Sequence, residues 1–103
     1  MEENNNVFVG KKELMAYVLA VMTQFTKTNS VVVKARGRSM STAIDIVEVV
    51  RNKYLPNAVI KNIVIKTEEV PARAKTGETE EHAKQRGPSK VSAIEITLEK
   101  PPF

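Results

Sequence analysis

Short runs of β-branched residues alternate with longer amphipathic segments in this chain, and their order limits the folds it can adopt. Val31-Val32-Val33 is typical of a buried strand, and the earlier run Val7-Phe8-Val9 predicts another. Between these runs, apolar residues recur with helical period over about residues 11–27. The members of this apolar face are Leu14, Val18, Val21, Met22 and Phe25. The first part of the chain is therefore predicted to be strand, helix, strand.

A second helix is predicted after the turn Arg36-Gly37-Arg38, where Gly37 can adopt a positive φ without steric cost. Ser39 or Ser41 is expected to cap this helix by accepting a hydrogen bond from its first free N–H groups. The helix ends before Pro56, because the residue preceding a proline avoids helical backbone angles. Its apolar residues cover more than one face, which predicts contact with a sheet and with a further surface such as a second subunit.

Two further strands complete the predicted fold. Val59 to Thr67 forms the third, and the alternation over residues 94–99 forms the fourth. The polar segment 68–89 between them is expected to be a long hairpin arm, and residues 1–6 and 100–103 to be flexible tails. The order βαβαββ predicts one α+β domain over residues 1–103, a two-layer sandwich with a four-stranded mixed sheet and two helices on one face.

The residue types needed for catalysis are scarce. The chain has no Cys and one His, which excludes a thiolate nucleophile, a disulfide framework and a cysteine-ligated zinc site. Ser39, Ser41, Asp45 and His82 include the residue types of a hydrolase triad, but no pattern brings His82 beside the serines. No Walker loop or Gly-x-Gly-x-x-Gly motif occurs. The sequence therefore predicts no enzyme, no cofactor and no metal site.

No membrane segment is evident in the sequence. The longest apolar-leaning run, Leu14 to Met22, is far shorter than the ~20 residues that a membrane span requires. The first six residues are acidic and polar, unlike a signal peptide. We therefore expect a cytoplasmic protein with no membrane partner.

The positive charge of the chain is concentrated in its first two thirds. The net charge is +4, and residues 1–65 carry nine Lys and Arg against five Asp and Glu, whereas residues 66–103 are neutral. Two basic clusters lie at the ends of predicted strands. The first contains Lys11 and Lys12, and the second contains Lys34, Arg36 and Arg38. Because adjacent parallel strands end side by side, both clusters are expected at one edge of the sheet near two helix N-termini. That arrangement favours phosphate oxygens.

The predicted arm carries charges of both signs. Arg86 and Lys90, near its base, are the basic residues best placed to follow a nucleic-acid backbone. Five acidic residues oppose such contact: Glu68, Glu69, Glu78, Glu80 and Glu81. An ordinary solvated loop remains an equally good interpretation of this segment.

Aromatic side chains are few, at 5% of residues. Phe8 and Phe25 are expected in the core, while Tyr17 and Tyr54 are candidates for exposure. Few stacking platforms argue against sequence-specific recognition of single strands and favour contacts with the phosphate backbone that tolerate any sequence.

Several motifs, weak individually, together resemble the Alba family of archaeal chromatin proteins over about residues 6–100. The motifs are Val9-Gly10-Lys11-Lys12, Met15-Ala16-Tyr17-Val18-Leu19-Ala20, Lys34-Ala35-Arg36-Gly37-Arg38, Val47-Glu48-Val49-Val50-Arg51-Asn52-Lys53-Tyr54-Leu55-Pro56 and Val91-Ser92-Ala93-Ile94-Glu95-Ile96. Their shared order and spacing make the resemblance specific.

The resemblance implies a non-enzymatic, chromosome-associated protein that binds double-stranded DNA, and also RNA, without marked sequence preference and condenses DNA as a dimer. Lys11 and Lys12 would be the central contacts, with Lys11 at the family's acetylation position, and Arg36 and Arg38 would contact phosphates beside them. The arms would follow the minor groove. The dimer would be a homodimer or a heterodimer with an Alba paralogue, in which the second helix takes part.

Two departures from the family pattern are visible. The main family form has phenylalanine at the position of Tyr54, where dimers pack side by side, and the arm here is longer and more acidic. One alternative within the resemblance is an RNA-binding protein of an RNA-processing or ribonuclease P-like particle. Another, from a different class, is a small domain that binds a phosphorylated metabolite at the same strand–helix junctions.

Overall fold

The computed structural model describes residues 5–70, 77, 79, 81, 82, 85 and 87–100. The elements are β1 (Asn6–Phe8), α1 (Leu14–Phe25), β2 (Ser30–Arg36), α2 (Ser39–Val49), a π-helical turn (Val50–Tyr54), β3 (Val59–Val70) and β4 (Ser89–Glu99). This order is the βαβαββ sequence of strands and helices that the amino-acid pattern predicts.

The four strands form one mixed sheet in the order β1-β2-β4-β3. β1 lies parallel to β2, with Phe8 opposite Lys34, while β4 is antiparallel to both β2 and β3. β4 lies between β2 and β3. The connection through α2 therefore leads from β2 to β3 at the edge of the sheet, and not to the position next to β2. The predicted α+β fold with a mixed four-stranded sheet is confirmed.

Both helices pack on the same face of this sheet. The alternation along β2 turns Val31, Val33 and Ala35 toward the helices, and Lys34 and Arg36 toward the opposite side. The helices and β4 add the rest of the core, which includes Val18, Val21, Phe25, Ala43, Ile46, Val47, Val50, Ile94, Ile96 and Leu98. The sheet face opposite the helices, called the outer face below, is lined by charged and polar side chains.

The helix ends differ from the sequence-based expectation. α1 is shorter than residues 11–27, because its N-terminal segment forms a loop held by side-chain contacts. The predicted caps Ser39 and Ser41 are wrong, since Arg38 occupies the cap position of α2 and no side chain caps it. α2 continues into a π-helical turn, closed by the Leu55 N–H donating to the Val50 carbonyl at 2.7 Å.

Two aromatic residues lie where the sequence did not predict them. Phe25 is buried as expected, but Phe8 is 65% exposed, because it alternates with buried Val7 and points to the outer face from an edge strand. Tyr17, a candidate for exposure, is only 6% exposed. It follows Leu14 by three residues and therefore shares the buried face of α1.

The ends of the strands extend into the segments that the sequence predicts as a hairpin arm and as tails. β3 extends to Val70 and β4 begins at Ser89, so the connection between the strands is shorter than 68–89. Asn6 already belongs to β1, and Lys100 donates its N–H to the Asn29 carbonyl at 2.8 Å. The remaining tail residues, 1–4 and 101–103, lie outside the described residues. In the part of the chain that is described, no helix is long and apolar enough to cross a membrane.

Candidate nucleic-acid interface

The loop that carries Lys11 and Lys12 joins β1 to α1 and is organised by one buried hydroxyl group. The Gly10 and Lys12 N–H groups both donate to the Tyr17 Oη, at 2.7 Å and 2.9 Å. The Val9 N–H donates to the Lys34 carbonyl at 2.8 Å and ties the start of the loop to β2. The two lysine side chains are exposed on a loop whose backbone is fixed.

A second loop, Arg36 to Arg38, joins β2 to α2. Gly37 has a φ of 53°, the left-handed conformation that its missing Cβ permits and that the sequence predicted as possible. Its N–H donates to the Ser92 carbonyl at 2.8 Å, and its carbonyl accepts from the Met40 N–H at 3.1 Å. The turn is therefore anchored to β4 on one side and to α2 on the other.

Both loops leave the same end of the sheet. β1 and β2 are parallel neighbours, and Phe8 lies opposite Lys34. Gly10 lies two residues after Phe8, and Arg36 lies two residues after Lys34, so the two loops begin at the same level of the sheet. This geometry brings Lys11 and Lys12 to the same end as Arg36 and Arg38. We refer to these four residues as the basic end. None of the ion pairs among the described residues involves Lys11, Lys12 or Arg38, so their charges face solvent.

Arg36 differs from the other three residues of the basic end, because a carboxylate holds it. Its Nε lies 2.6 Å from the Glu68 Oε1 on β3, yet that oxygen is buried and has no hydrogen bond, so the contact is an ion pair with unfavourable angles. Glu68 is not a residue that the sequence singled out as a neighbour of Arg36. The contact depends on β4 lying between β2 and β3, which local patterns do not reveal.

The ion pairs continue across the outer face. The Lys66 Nζ lies 2.7 Å from the Glu95 Oε2 and 3.3 Å from the Glu68 Oε2, and the Lys34 Nζ lies 3.9 Å from Glu95. Contact with the Lys66 ammonium lowers the pKa of Glu95, against the opposing effect of partial burial, and Lys34 lowers it further. The same contact, joined by Glu68, raises the pKa of Lys66. Both shifts favour the ionised forms of Glu95 and Lys66.

The base of the arm is less informative. Lys90 lies on β4 opposite Glu69 of β3 and is exposed. Arg86 and the acidic residues Glu78 and Glu80 lie outside the described residues. Among those described, no group of three or more His, Asp or Glu side chains could hold a metal ion.

A separate apolar surface lies on the edge strand β3. Ile60, Ile63 and Ile65 are paired with Leu98, Ile96 and Ile94, which belong to the core, and so point toward the helix side of the sheet. The helices do not cover them, and Ile65 is 74% exposed. We call these three residues the β3 apolar patch. Tyr54, in the π-helical turn, is 47% exposed.

These features define a class of protein: a small α+β domain that gathers exposed Lys and Arg loops at one end of its sheet and leaves an apolar edge strand uncovered. A family model described as Alba matches residues 5–67, more than half of the chain. The chain is 43% identical to "DNA/RNA-binding protein Alba" of Thermoplasma acidophilum over 99 residues, which cover 95% of this chain and 98% of that protein. The chain belongs to the Alba family, as its motifs predicted.

Other relatives agree with this assignment. "DNA/RNA-binding protein Alba 1" of Archaeoglobus fulgidus is 44% identical over 97 residues, covering 93% of this chain and 96% of that protein. The solved structure of Alba from Thermoplasma volcanium has a TM-score of 0.78 at 42% identity and covers 93% of this chain and all of that one. The names of these relatives describe binding proteins and not enzymes. The ALBA1 structure from Trypanosoma brucei, with a TM-score of 0.68 at 20% identity, shares the fold.

Proposed function

We propose that this chain is a non-enzymatic architectural protein that binds double-stranded DNA, and RNA, through phosphate contacts made by Lys11, Lys12, Arg36 and Arg38. The observation that carries this proposal is that two separately anchored basic loops meet at one end of the sheet. Lys and Arg on ordered loops contact backbone phosphates without reading bases, so binding tolerates any sequence. The printed names of the relatives support nucleic acid as the partner.

This function has three further parts. The whole chain, residues 1–103, acts as one domain associated with the chromosome, which it coats or compacts. Arg86 and Lys90 at the base of the arm add backbone contacts. Lys11 is the site at which acetylation would remove one charge from the basic end and weaken binding.

The protein acts as a dimer in this proposal. The β3 apolar patch supports it, because half of the ten exposed large apolar side chains among the described residues lie on β3. A second copy of the chain, or a paralogue carrying a similar strand, would bury this surface. Tyr54 would then lie at contacts between neighbouring dimers on DNA, where its hydroxyl group requires a partner.

The test of DNA binding is fluorescence anisotropy with a random-sequence 20-base-pair duplex at several salt concentrations. We expect tight binding with a steep negative salt slope. In the Lys11→Ala/Lys12→Ala variant, the slope should fall by roughly one unit for each phosphate contact removed, with equal loss of affinity for all sequences. The matched control is Lys27→Ala/Lys53→Ala, which removes the same charge from the far ends of the two helices. Equal behaviour of both variants would exclude the basic end as the binding site.

The test of the dimer is sedimentation velocity. We expect the wild type to sediment as a dimer and Ile65→Asp to sediment as a monomer, because an unpaired carboxylate in a buried apolar contact is strongly unfavourable. The control is Leu19→Asp, at an exposed position on α1 and away from the β3 apolar patch, which should remain dimeric. A monomeric wild type would contradict the homodimer and leave the heterodimer as the alternative.

A second candidate function is an RNA-binding protein of an RNA-processing particle, and the printed names of the relatives include RNA beside DNA. Competition between the DNA duplex and a structured RNA hairpin at matched salt separates the two. If the RNA hairpin displaces the labelled duplex at a concentration at least tenfold lower than unlabelled duplex does, the RNA-centred function is supported.

A further inference from the structure

The outer face of the sheet contains a basin that shares only Arg36 with the basic end. Its volume is about 340 Å³, within the range of roughly 300–1,000 Å³ that is typical of small-molecule pockets. It is lined by Phe8, Lys34, Ala35, Arg36, Lys66, Glu68, Ala93, Ile94 and Glu95. Ala93 lies between Arg36 on β2 and Lys66 on β3. Its methyl side chain is much shorter than theirs, and this difference in length forms the basin.

Phe8 forms one wall of this basin, because it points to the outer face from the edge strand β1. An aromatic ring that is 65% exposed beside a cleft offers a surface on which a base can stack. The Lys34 Nζ lies over the ring, 5.7 Å from its centre, so a stacked base would take the other face of the ring or displace this ammonium.

The charges of the basin restrict its ligand further. Lys34, Arg36 and Lys66 attract an anion, but Glu68 and Glu95 repel one that is only an anion. The carboxylates of Glu68 and Glu95 favour a ligand that also donates N–H or O–H hydrogen bonds. A ligand that combines a planar π surface, hydrogen-bond donors and a phosphate satisfies all three conditions, and a nucleotide is such a ligand.

We propose that this basin binds one unpaired nucleotide of a single-stranded nucleic acid, with the base stacked on Phe8 and the phosphate beside Arg36. The inference rests on the proposed nucleic-acid binding and shares Arg36 with the basic end, but its stacking surface, Phe8, lies outside the loops proposed to contact a duplex. A base in a duplex is paired and stacked and cannot reach Phe8. The basin therefore gives the protein a preference for strand ends, bulges and loops that the basic end alone does not provide.

The first experiment compares Phe8→Ala with wild type by anisotropy, using a fluorescein-labelled decamer of uridine and the 20-base-pair DNA duplex at the same salt concentration. Stacking of one base is worth ~1–3 kcal/mol, so we expect at least about fivefold weaker binding of the decamer. Duplex affinity should change by less than twofold, and Phe8→Tyr, which keeps the ring, should restore decamer binding. Leu19→Ala, at a similarly exposed position on α1, should behave as wild type. Unchanged decamer binding in Phe8→Ala, or parallel loss for both ligands, would overturn the proposal.

The second experiment reports on the position of Phe8 directly. The chain has no Trp, so Phe8→Trp introduces a single indole whose fluorescence reports on a stacked base. We expect saturable quenching by the uridine decamer and by a deoxythymidine decamer, and none by the duplex. Uridine monophosphate should saturate only at much higher concentration, because it lacks the neighbouring phosphates. Equal saturation by the mononucleotide would overturn the assignment to a strand, and no quenching by either decamer would overturn the site.

A third experiment introduces Lys11→Ala/Lys12→Ala into the Phe8→Trp protein. It shows whether nucleotide binding in the basin is independent of duplex binding at the basic end. Quenching by the decamer that persists when duplex binding is lost supports an independent nucleotide site. Duplex binding by a Phe8→Trp protein whose indole is never quenched would support the proposed function and contradict the basin.

Discussion

The Lys12 N–H donates a hydrogen bond to the Tyr17 Oη at 2.9 Å, so a residue buried in the core fixes the backbone of a loop that faces solvent. The Gly10 N–H donates to the same oxygen at 2.7 Å. Because the loop is ordered before any ligand arrives, the two lysines lose less conformational entropy on contact with phosphate. In the proposed binding mode, Tyr17 positions the basic end and does not itself contact the phosphate.

Removal of the Tyr17 hydroxyl group should weaken both folding and binding without changing charge. Tyr17→Phe keeps the ring in the core but loses two hydrogen bonds, each worth ~0.5–1.5 kcal/mol. We expect a free energy of unfolding lower by about 1–3 kcal/mol in chemical denaturation and several-fold weaker duplex binding at unchanged salt slope. Thr23→Val removes an exposed hydroxyl group from α1 and serves as the control. Full affinity in Tyr17→Phe would show that loop order does not contribute to binding.

Gly37 should be less tolerant of substitution than Gly10. A methyl group at Gly37 would meet no atom within 4 Å, so the effect of Gly37→Ala comes from its φ of 53° alone. We expect a loss of ~1–2 kcal/mol in unfolding free energy, the strain of a left-handed non-glycine residue. Gly10 has no positive φ, and its added Cβ would lie 3.5 Å from the Tyr17 hydroxyl group, an ordinary contact. Equal destabilisation by the two substitutions, measured by urea unfolding, would contradict this account.

Glu68 should moderate nucleic-acid binding through Arg36. Glu68→Gln removes the carboxylate that lies 2.6 Å from the Arg36 Nε and leaves that guanidinium available to phosphate. Exposed charge pairs are worth ~0.2–1 kcal/mol, so we expect duplex affinity to rise up to roughly fivefold at low salt and less at high salt. Glu48→Gln, which frees Arg51 beyond the end of α2, changes net charge equally and should have little effect. Weaker binding in Glu68→Gln would mean that the carboxylate orients Arg36 for its ligand.

The stability of the fold should depend on Glu95 at acid pH. The pKa of Glu95 is lowered by the Lys66 ammonium from its ordinary value of 4.5, so the folded state holds the proton more weakly than the unfolded state. The resulting stabilisation is present above pH 4.5 and is lost as pH falls through the lowered pKa. We expect the melting temperature of wild type to fall more steeply with acidification than that of Glu95→Gln. Parallel profiles would show that the contact of Glu95 with Lys66 does not contribute to stability.

The sequence by itself determined the order of elements, the core faces of the helices and the charge of the two loops, because each depends on residues close together in the chain. Hydrophobic period separated helices from strands, and Gly37 marked a turn whose φ is positive. The convergence of Lys11, Lys12, Arg36 and Arg38 also followed from sequence, since a βαβ unit places both loops at one end of parallel strands.

Tertiary structure alone decided which residues meet across the sheet. The order β1-β2-β4-β3 brings Glu68 close to Arg36. It also leaves Ile65 on an edge strand that the helices do not cover. No local sequence pattern indicates either arrangement. The two aromatic residues were misassigned for a related reason: an apolar run shows that a strand forms but not which face is covered. Phe8 lies on the face that no helix covers, and Tyr17 lies beneath a loop whose N–H groups require an acceptor.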